Sequence, residues 1–201
     1  TSYQLLPAPG TLRVFDEQLK PLDLDIYDEK VWGKYGWNPM DETDFEKEFS
    51  PLERKEAPAF FAGQLWRSKR FFEALNAVTG KSGSVSFTVI GSDCKSAPDS
   101  IVIYRDRDSQ QFRTLFRPRS FTRTDGVRVT EDDLKKVMYA AGDGVVTARS
   151  LAAASRSEAV RATSAVNGGP VKFVCEDHNK LASNSRIQDH IINVLDVKKR
   201  G

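Results

Sequence analysis

Hydrophobic and polar positions change period several times along this chain. From about Pro58 to Thr79, Phe61, Leu65, Phe72, Leu75 and Val78 recur near helical spacing. That spacing predicts a helix with Pro58 in its first turn and Gly80 as its stop. Val85-Ser86-Phe87-Thr88-Val89-Ile90-Gly91 is a short run of branched and aromatic residues and predicts a buried strand. Ile101–Tyr104 and Phe112–Phe116 flank a polar stretch from Arg105 to Gln111, the pattern of a hairpin. A short helical turn is expected over Glu131–Val137, a helix over about Ala148–Arg161, and a strand over Val171–Cys175. Ser185 is placed to cap a last helix to about Val197, with Ile187, Ile191, Val194 and Leu195 on its apolar side.

The first fifty residues show no such period. Aromatics from Tyr3 to Trp37 lie among Pro7, Pro9, Pro21 and Pro39, which interrupt any long helix. A segment of this kind must pack on something to hide its rings. In the carboxy-terminal half, strand, loop and helix alternate, which favours an α/β class with a parallel sheet. The expected division is a cap-like aromatic segment and helix over 1–80, then an α/β core over 81–201.

Composition narrows the function classes. Of 201 residues, 39% are hydrophobic, enough for a core and too many for wholesale disorder. Thirty Lys and Arg against 28 Asp and Glu leave a net charge of +2, without the concentrated basic face of a nucleic-acid binder. Lys198, Lys199 and Arg200 read as a solvated tail. No apolar run approaches the roughly 20 residues of a membrane helix. Two cysteines, Cys94 and Cys175, are too few for a disulfide scaffold or a cysteine-built zinc site.

Ligands of open α/β sheets bind beyond the carboxyl ends of the strands. Two such ends carry ionisable residues. Tyr139-Ala140-Ala141-Gly142-Asp143-Gly144 sets an aspartate between two glycines, and Val174-Cys175-Glu176-Asp177-His178 sets a histidine past a strand. The interval leaves room for one helix and one strand, so an acid and a base on adjacent loops have the reach to meet. The aspartate would then fix the histidine tautomer, and the histidine would take a proton from a nucleophile. The plainer alternatives stand beside this: Asp-Gly is a common turn pair, and a lone histidine past a strand is commonly a surface or capping residue.

Gly142-Asp143-Gly144-Val145-Val146, followed by Arg149-Ser150-Leu151, resembles the catalytic-aspartate segment of the lecithin:cholesterol acyltransferase family, which reads Gly-Asp-Gly-Thr-Val. Glu176-Asp177-His178 is similar to that family's catalytic-histidine loop. Val89-Ile90-Gly91-Ser92 leading to Pro98-Asp99-Ser100 is similar to its strand and loop upstream of the aspartate. Tyr3-Gln4-Leu5-Leu6-Pro7 and Trp32-Gly33-Lys34-Tyr35-Gly36-Trp37 resemble its cap region. The resemblance implies a partial α/β-hydrolase fold, made of late sheet strands, covering helices and part of a cap. It implies Asp143 and His178 as triad acid and base, a lipid-like or other acyl ester as substrate, and an acyl-serine intermediate. It implies no cofactor and no metal. Val145 departs from the family's threonine, and no Gly-x-Ser-x-Gly elbow occurs. Since the fold's chain order is serine, acid, histidine, the nucleophile is expected in an amino-terminal half of the same protein, before Thr1.

Three other patterns carry less. Gly80-Lys81-Ser82 lacks the first glycine of a phosphate-binding loop at Leu75. Cys175, Glu176, Asp177 and His178 are adjacent and cannot easily converge on one ion. Cys175, near His178, is a conceivable nucleophile, but a cysteine closing a strand reads first as a small buried hydrophobe. The rival to the enzyme is an interaction module in which Asp143 and His178 are loop residues and the aromatic amino-terminal segment binds a partner. Hydrogen-bond reach between Asp143 and His178 separates the two.

Overall fold

A computed structural model describes residues 2–42, 44–76, 89–154 and 172–197. In chain order the strands and helices are β1 (Arg13–Phe15), α1 (Glu29–Tyr35), α2 (Phe45–Glu48), α3 (Pro51–Asn76), β2 (Ile90–Gly91), β3 (Lys95–Pro98) and β4 (Ser100–Arg105). There follow β5 (Phe112–Leu115), β6 (Phe121–Thr122), β7 (Arg128–Val129), α4 (Glu131–Met138), β8 (Tyr139–Gly142), α5 (Ala148–Ala154), β9 (Lys172–Phe173) and α6 (Ser185–Val197). The class is mixed α and β with small sheets. The chain forms two units that interleave in sequence, one from Thr1–Leu75 and Ser100–Met138, the other from Asn76–Asp99 and Tyr139–Gly201. No helix among the described residues is long and apolar enough to cross a membrane.

The first unit is built on β4. β1 pairs with it in parallel, Val14 beside Ile101, and β5 antiparallel, Val102 beside Leu115. The expected hairpin is present. Because strand side chains alternate, β4 feeds two cores. Val102 and Phe15 meet Phe121, Val129, Leu134 and Met138 on one face. Ile103 and Val14 meet Tyr35 on the other. α4 supplies Leu134 and Met138 one turn apart, and Thr130 and Asp133 cap it reciprocally.

The first fifty residues are more ordered than their prolines imply. Asp28 caps α1 by accepting the Lys30 N–H at 2.9 Å, and Gly36 ends it at φ +69°. The aromatic rings pack on one another, and their polar ends are satisfied. The Trp37 indole donates to Thr114 Oγ1 at 2.7 Å, the Trp32 indole to the Ile26 carbonyl at 2.6 Å, and the Tyr27 hydroxyl to the Pro7 carbonyl at 2.8 Å.

α3 begins at Pro51, a turn and more before the expected Pro58, which lies in its interior. The cause is a capping box. The Ser50 N–H donates to Glu53 Oε2 at 2.8 Å, and the Glu53 N–H to Ser50 Oγ at 3.3 Å, with Pro51 in first position. The end expected near Thr79 lies outside the described residues.

In the second unit β2 and β9 pair in parallel, Gly91 beside Phe173, and β3 and β8 pair antiparallel, Lys95 beside Gly142. The parallel pairing expected from the alternation of elements is present as the two-stranded β2–β9 sheet, whereas β3 and β8 run antiparallel. The β2–β9 ladder stops where the Glu176 N–H turns to the side-chain oxygen of Ser92, at 3.2 Å, instead of a strand carbonyl. Most of the strand expected over 85–91, and of the helix expected to Arg161, lies outside the described residues. α6 has the expected length, but its cap is Asn184, whose Oδ1 accepts the Arg186 N–H at 3.0 Å. Ile187 is buried, whereas Ile191 and Leu195 remain exposed.

Candidate active site

The site grows from two loops of the second unit. β8 runs into Gly142-Asp143-Gly144-Val145-Val146, a turn closed by the Asp143 N–H on the Val146 carbonyl at 3.1 Å. Asp143 Oδ1 accepts the N–H groups of Val145 at 2.9 Å and Val146 at 2.7 Å, which locks the side chain. Gly144 takes φ +96°, a conformation that a residue with a Cβ resists. Thr147 then caps α5, its hydroxyl accepting the Ser150 N–H at 3.1 Å.

β9 runs into Val174-Cys175-Glu176-Asp177, and His178 opens a 3-10 turn over His178–Ser183. The His178 N–H donates to the Asp143 carbonyl at 2.9 Å, and its ring Nδ1 lies 2.7 Å from Asp143 Oδ2. The two residues singled out from the sequence are thus joined twice, through backbone and side chain.

The Asp143 side chain is 1% exposed and that of His178 49%. Burial pushes the Asp143 carboxyl upward. The Val146 N–H, the His178 ring and the Val145 N–H outweigh it and hold the group below the usual carboxylate range. An ionised Asp143 offers only acceptors, so the network assigns the proton between them to His178 Nδ1. Nε2 is then the lone-pair nitrogen, and it makes no hydrogen bond among the described residues.

Around this pair the loops are pinned by further hydrogen bonds and ion pairs. Ser92 is fully buried under the Glu176 N–H. The Glu176 carboxylate accepts the Asp177 N–H at 3.0 Å and the Asn184 amide at 3.1 Å. Asp177 faces Lys95 and Lys180, each at 3.3 Å. Those bonds draw both carboxyls below their ordinary values, the Asp177 N–H being the first cause for Glu176 and the Lys95 ammonium for Asp177. Arg149 grips the buried Asp99 carboxylate at 2.8 and 3.2 Å.

Cys94 and Cys175 form a disulfide with Cα atoms 5.3 Å apart. Cys175 is therefore neither a packed thiol nor a nucleophile, which corrects both sequence readings. The parallel register of Gly91 and Phe173 carries the positions just past each strand end into bonding range. In the structure both cysteines closely follow strand ends, Cys94 after Gly91 and Cys175 after Phe173. Glu176 and Asp177 spend their oxygens on neighbours, and no group of three or more His, Cys, Asp or Glu among the described residues is placed to hold a metal ion. The Gly80-Lys81-Ser82 segment lies outside the described residues.

Comparison with known protein families, curated proteins and solved structures returns no match. The chemistry open to this site rests on the pair itself. An oriented imidazole with a buried carboxylate behind it and an open Nε2 can accept a proton from an approaching hydroxyl and return it to a leaving group. No serine, threonine or cysteine among the described residues hydrogen-bonds the His178 ring.

Proposed function

We propose that this chain is the carboxy-terminal portion of a serine acyl hydrolase or acyltransferase with a partial α/β-hydrolase fold, acting on lipid-like esters through an acyl-serine. Asp143 is its triad acid and His178 its base. The observation that carries this is the Asp143–His178 pair, with Nε2 free of hydrogen bonds among the described residues. The serine comes from an accompanying amino-terminal segment, as does the oxyanion site. His178 removes the serine proton during attack on the ester carbonyl, then protonates the departing alkoxide. In the second half it activates water or an alcohol, which releases the acyl group and regenerates the serine. Asp143 holds the Nδ1–H tautomer and stabilises the imidazolium formed in each step. The resemblance in motif order and the ionised, buried state of Asp143 support the same reading.

The test is ester turnover by the protein in its whole natural context, read on chromogenic acyl esters. His178→Ala abolishes turnover, and Asp143→Asn, which disturbs the tautomer, lowers kcat by about 10⁴, the loss typical of serine proteases. Residues 1–201 alone show only background turnover. Wild-type rates in the His178→Ala protein would remove the assignment, and robust activity from residues 1–201 alone would overturn the placement of the serine.

A further inference from the structure

The first unit carries a groove of about 640 Å³ between the opening turns of α3 and residues 39–42 and 44–49, the latter holding α2. Its apolar wall comes from Met40, Phe45, Phe49, Ala57, Phe60 and Phe61. Phe45 and Phe49 lie ring against ring at 4.8 Å, and Phe49 and Phe60 remain 42% and 64% exposed. Its charged residues are all acidic: Glu42, Asp44, Glu48, Glu53 and Glu56. No Lys or Arg among the described residues lines it, in a chain whose basic residues outnumber its acidic ones. Asp44 is paired with Lys47, and Glu53 is spent on the Ser50 cap. Glu42, Glu48 and Glu56 are exposed and make no ion pair among the described residues.

We infer that this groove docks a basic amphipathic helix of a partner protein, its large apolar side chains among the phenylalanines and its Lys or Arg residues against Glu42, Glu48 and Glu56. The lining has no strand, so an extended peptide gains no backbone ladder there, whereas a helix needs only side-chain pockets at turn spacing. The acidic rim repels nucleic acid and an anionic membrane surface, and it selects a cationic partner by charge. Unpaired carboxylates around an exposed aromatic floor give the two components such a contact combines: apolar burial for affinity and rim charge for orientation.

The experiment titrates the folded chain with three fluorescent 14-residue probes. The first is a Leu/Lys peptide with leucine at helical spacing. The second replaces every Lys with Glu, and the third scrambles the first so that it has no apolar face. The expected result is binding of the first probe only, weakened by added salt. Glu48→Lys/Glu56→Lys lowers that affinity about tenfold, and Phe60→Ser lowers it by a similar factor. Amide and methyl shift mapping on the wild-type chain provides a second readout independent of the variants, with perturbations centred on Met40, Phe45, Phe49 and Phe60. Equal binding of the scrambled or acidic probe, perturbations elsewhere, or no binding overturns the proposal. So does self-association of the chain that Phe60→Ser abolishes, since the groove would then belong to a second copy.

Discussion

Gly142→Ala is the sharpest perturbation of the loop that holds Asp143. An added methyl at this position would overlap the Val146 carbonyl oxygen and lie 2.8 Å from Ala97 Cβ and 2.9 Å from Thr147 Cα. Carbon atoms in good contact sit about 3.5–4.0 Å apart, so the backbone must move by the order of 1 Å. None of these neighbours is the yielding end of a long side chain. Overpacking of this sort costs about 1–3 kcal/mol. The carbonyl that must move also accepts the Asp143 N–H, and losing that bond adds about 0.5–1.5 kcal/mol. The expected loss is therefore about 1.5–4.5 kcal/mol. It is measured as the shift in urea unfolding at neutral pH, with the His178 ring ¹⁵N signals reporting the loss of the single Nδ1–H tautomer. Gly144→Ala is the control. It has open space within 4 Å but sits at φ +96°, so it costs only the conformational strain of about 1–2 kcal/mol. Stability within about 0.5 kcal/mol of wild type for Gly142→Ala, with unchanged ring signals, would refute the reasoning.

Replacing Cys94 and Cys175 by serine releases a bond spanning 81 positions and should lower stability by about 2–4 kcal/mol, read as denaturant midpoints with and without reductant; equal midpoints would count against the bond's stabilising role. Asp143 is held below its ordinary value when folded, so its stabilisation is full above about pH 4 and is lost as the pH falls through the folded value. Asp143→Asn should flatten that part of the acid limb, and parallel stability curves for the two proteins would contradict it. Leu134 is fully buried in the core under β4, so Leu134→Ala should cost about 2–5 kcal/mol in thermal or urea unfolding, whereas Leu52→Ala, at an exposed position, should cost little.

The meeting of Asp143 and His178 was legible because it follows from strand ends and loop lengths, quantities that spacing records. The hairpin of β4 and β5, α4 and the length of α6 were legible for a similar reason: their periods are local. Pairings made at long range were not. Arg13-Val14-Phe15 is too short to declare itself a strand and becomes one only against Ile101 and Val102. The disulfide needed the register of Gly91 against Phe173, which no local pattern fixes. The start of α3 was misread for a different reason. Pro58 is a good first-turn residue in isolation, but Ser50-Pro51-Leu52-Glu53 upstream is a stronger start, because two backbone donors are satisfied there at once. The roles of Ser92 and Asn184 were not legible, since a buried hydroxyl and an amide acquire them only when a distant backbone or carboxylate arrives.

The interleaving of the two units has a consequence for biosynthesis. A chain emerging at roughly 5–20 residues per second presents Cys94 and then makes 81 further positions before Cys175, an interval of roughly 4–16 s. In that interval the rest of the first unit, Ser100–Met138, is delivered. β4 can capture β1 and receive α4 while Cys94 is still a thiol with no partner made. The order of synthesis therefore makes all of the first unit before Cys175 exists, so the Cys94–Cys175 bond is the later event to become possible. A Cys94 thiol trapped by an alkylating reagent on stalled nascent chains, and protected once Cys175 has cleared the ribosome, would record that sequence of events.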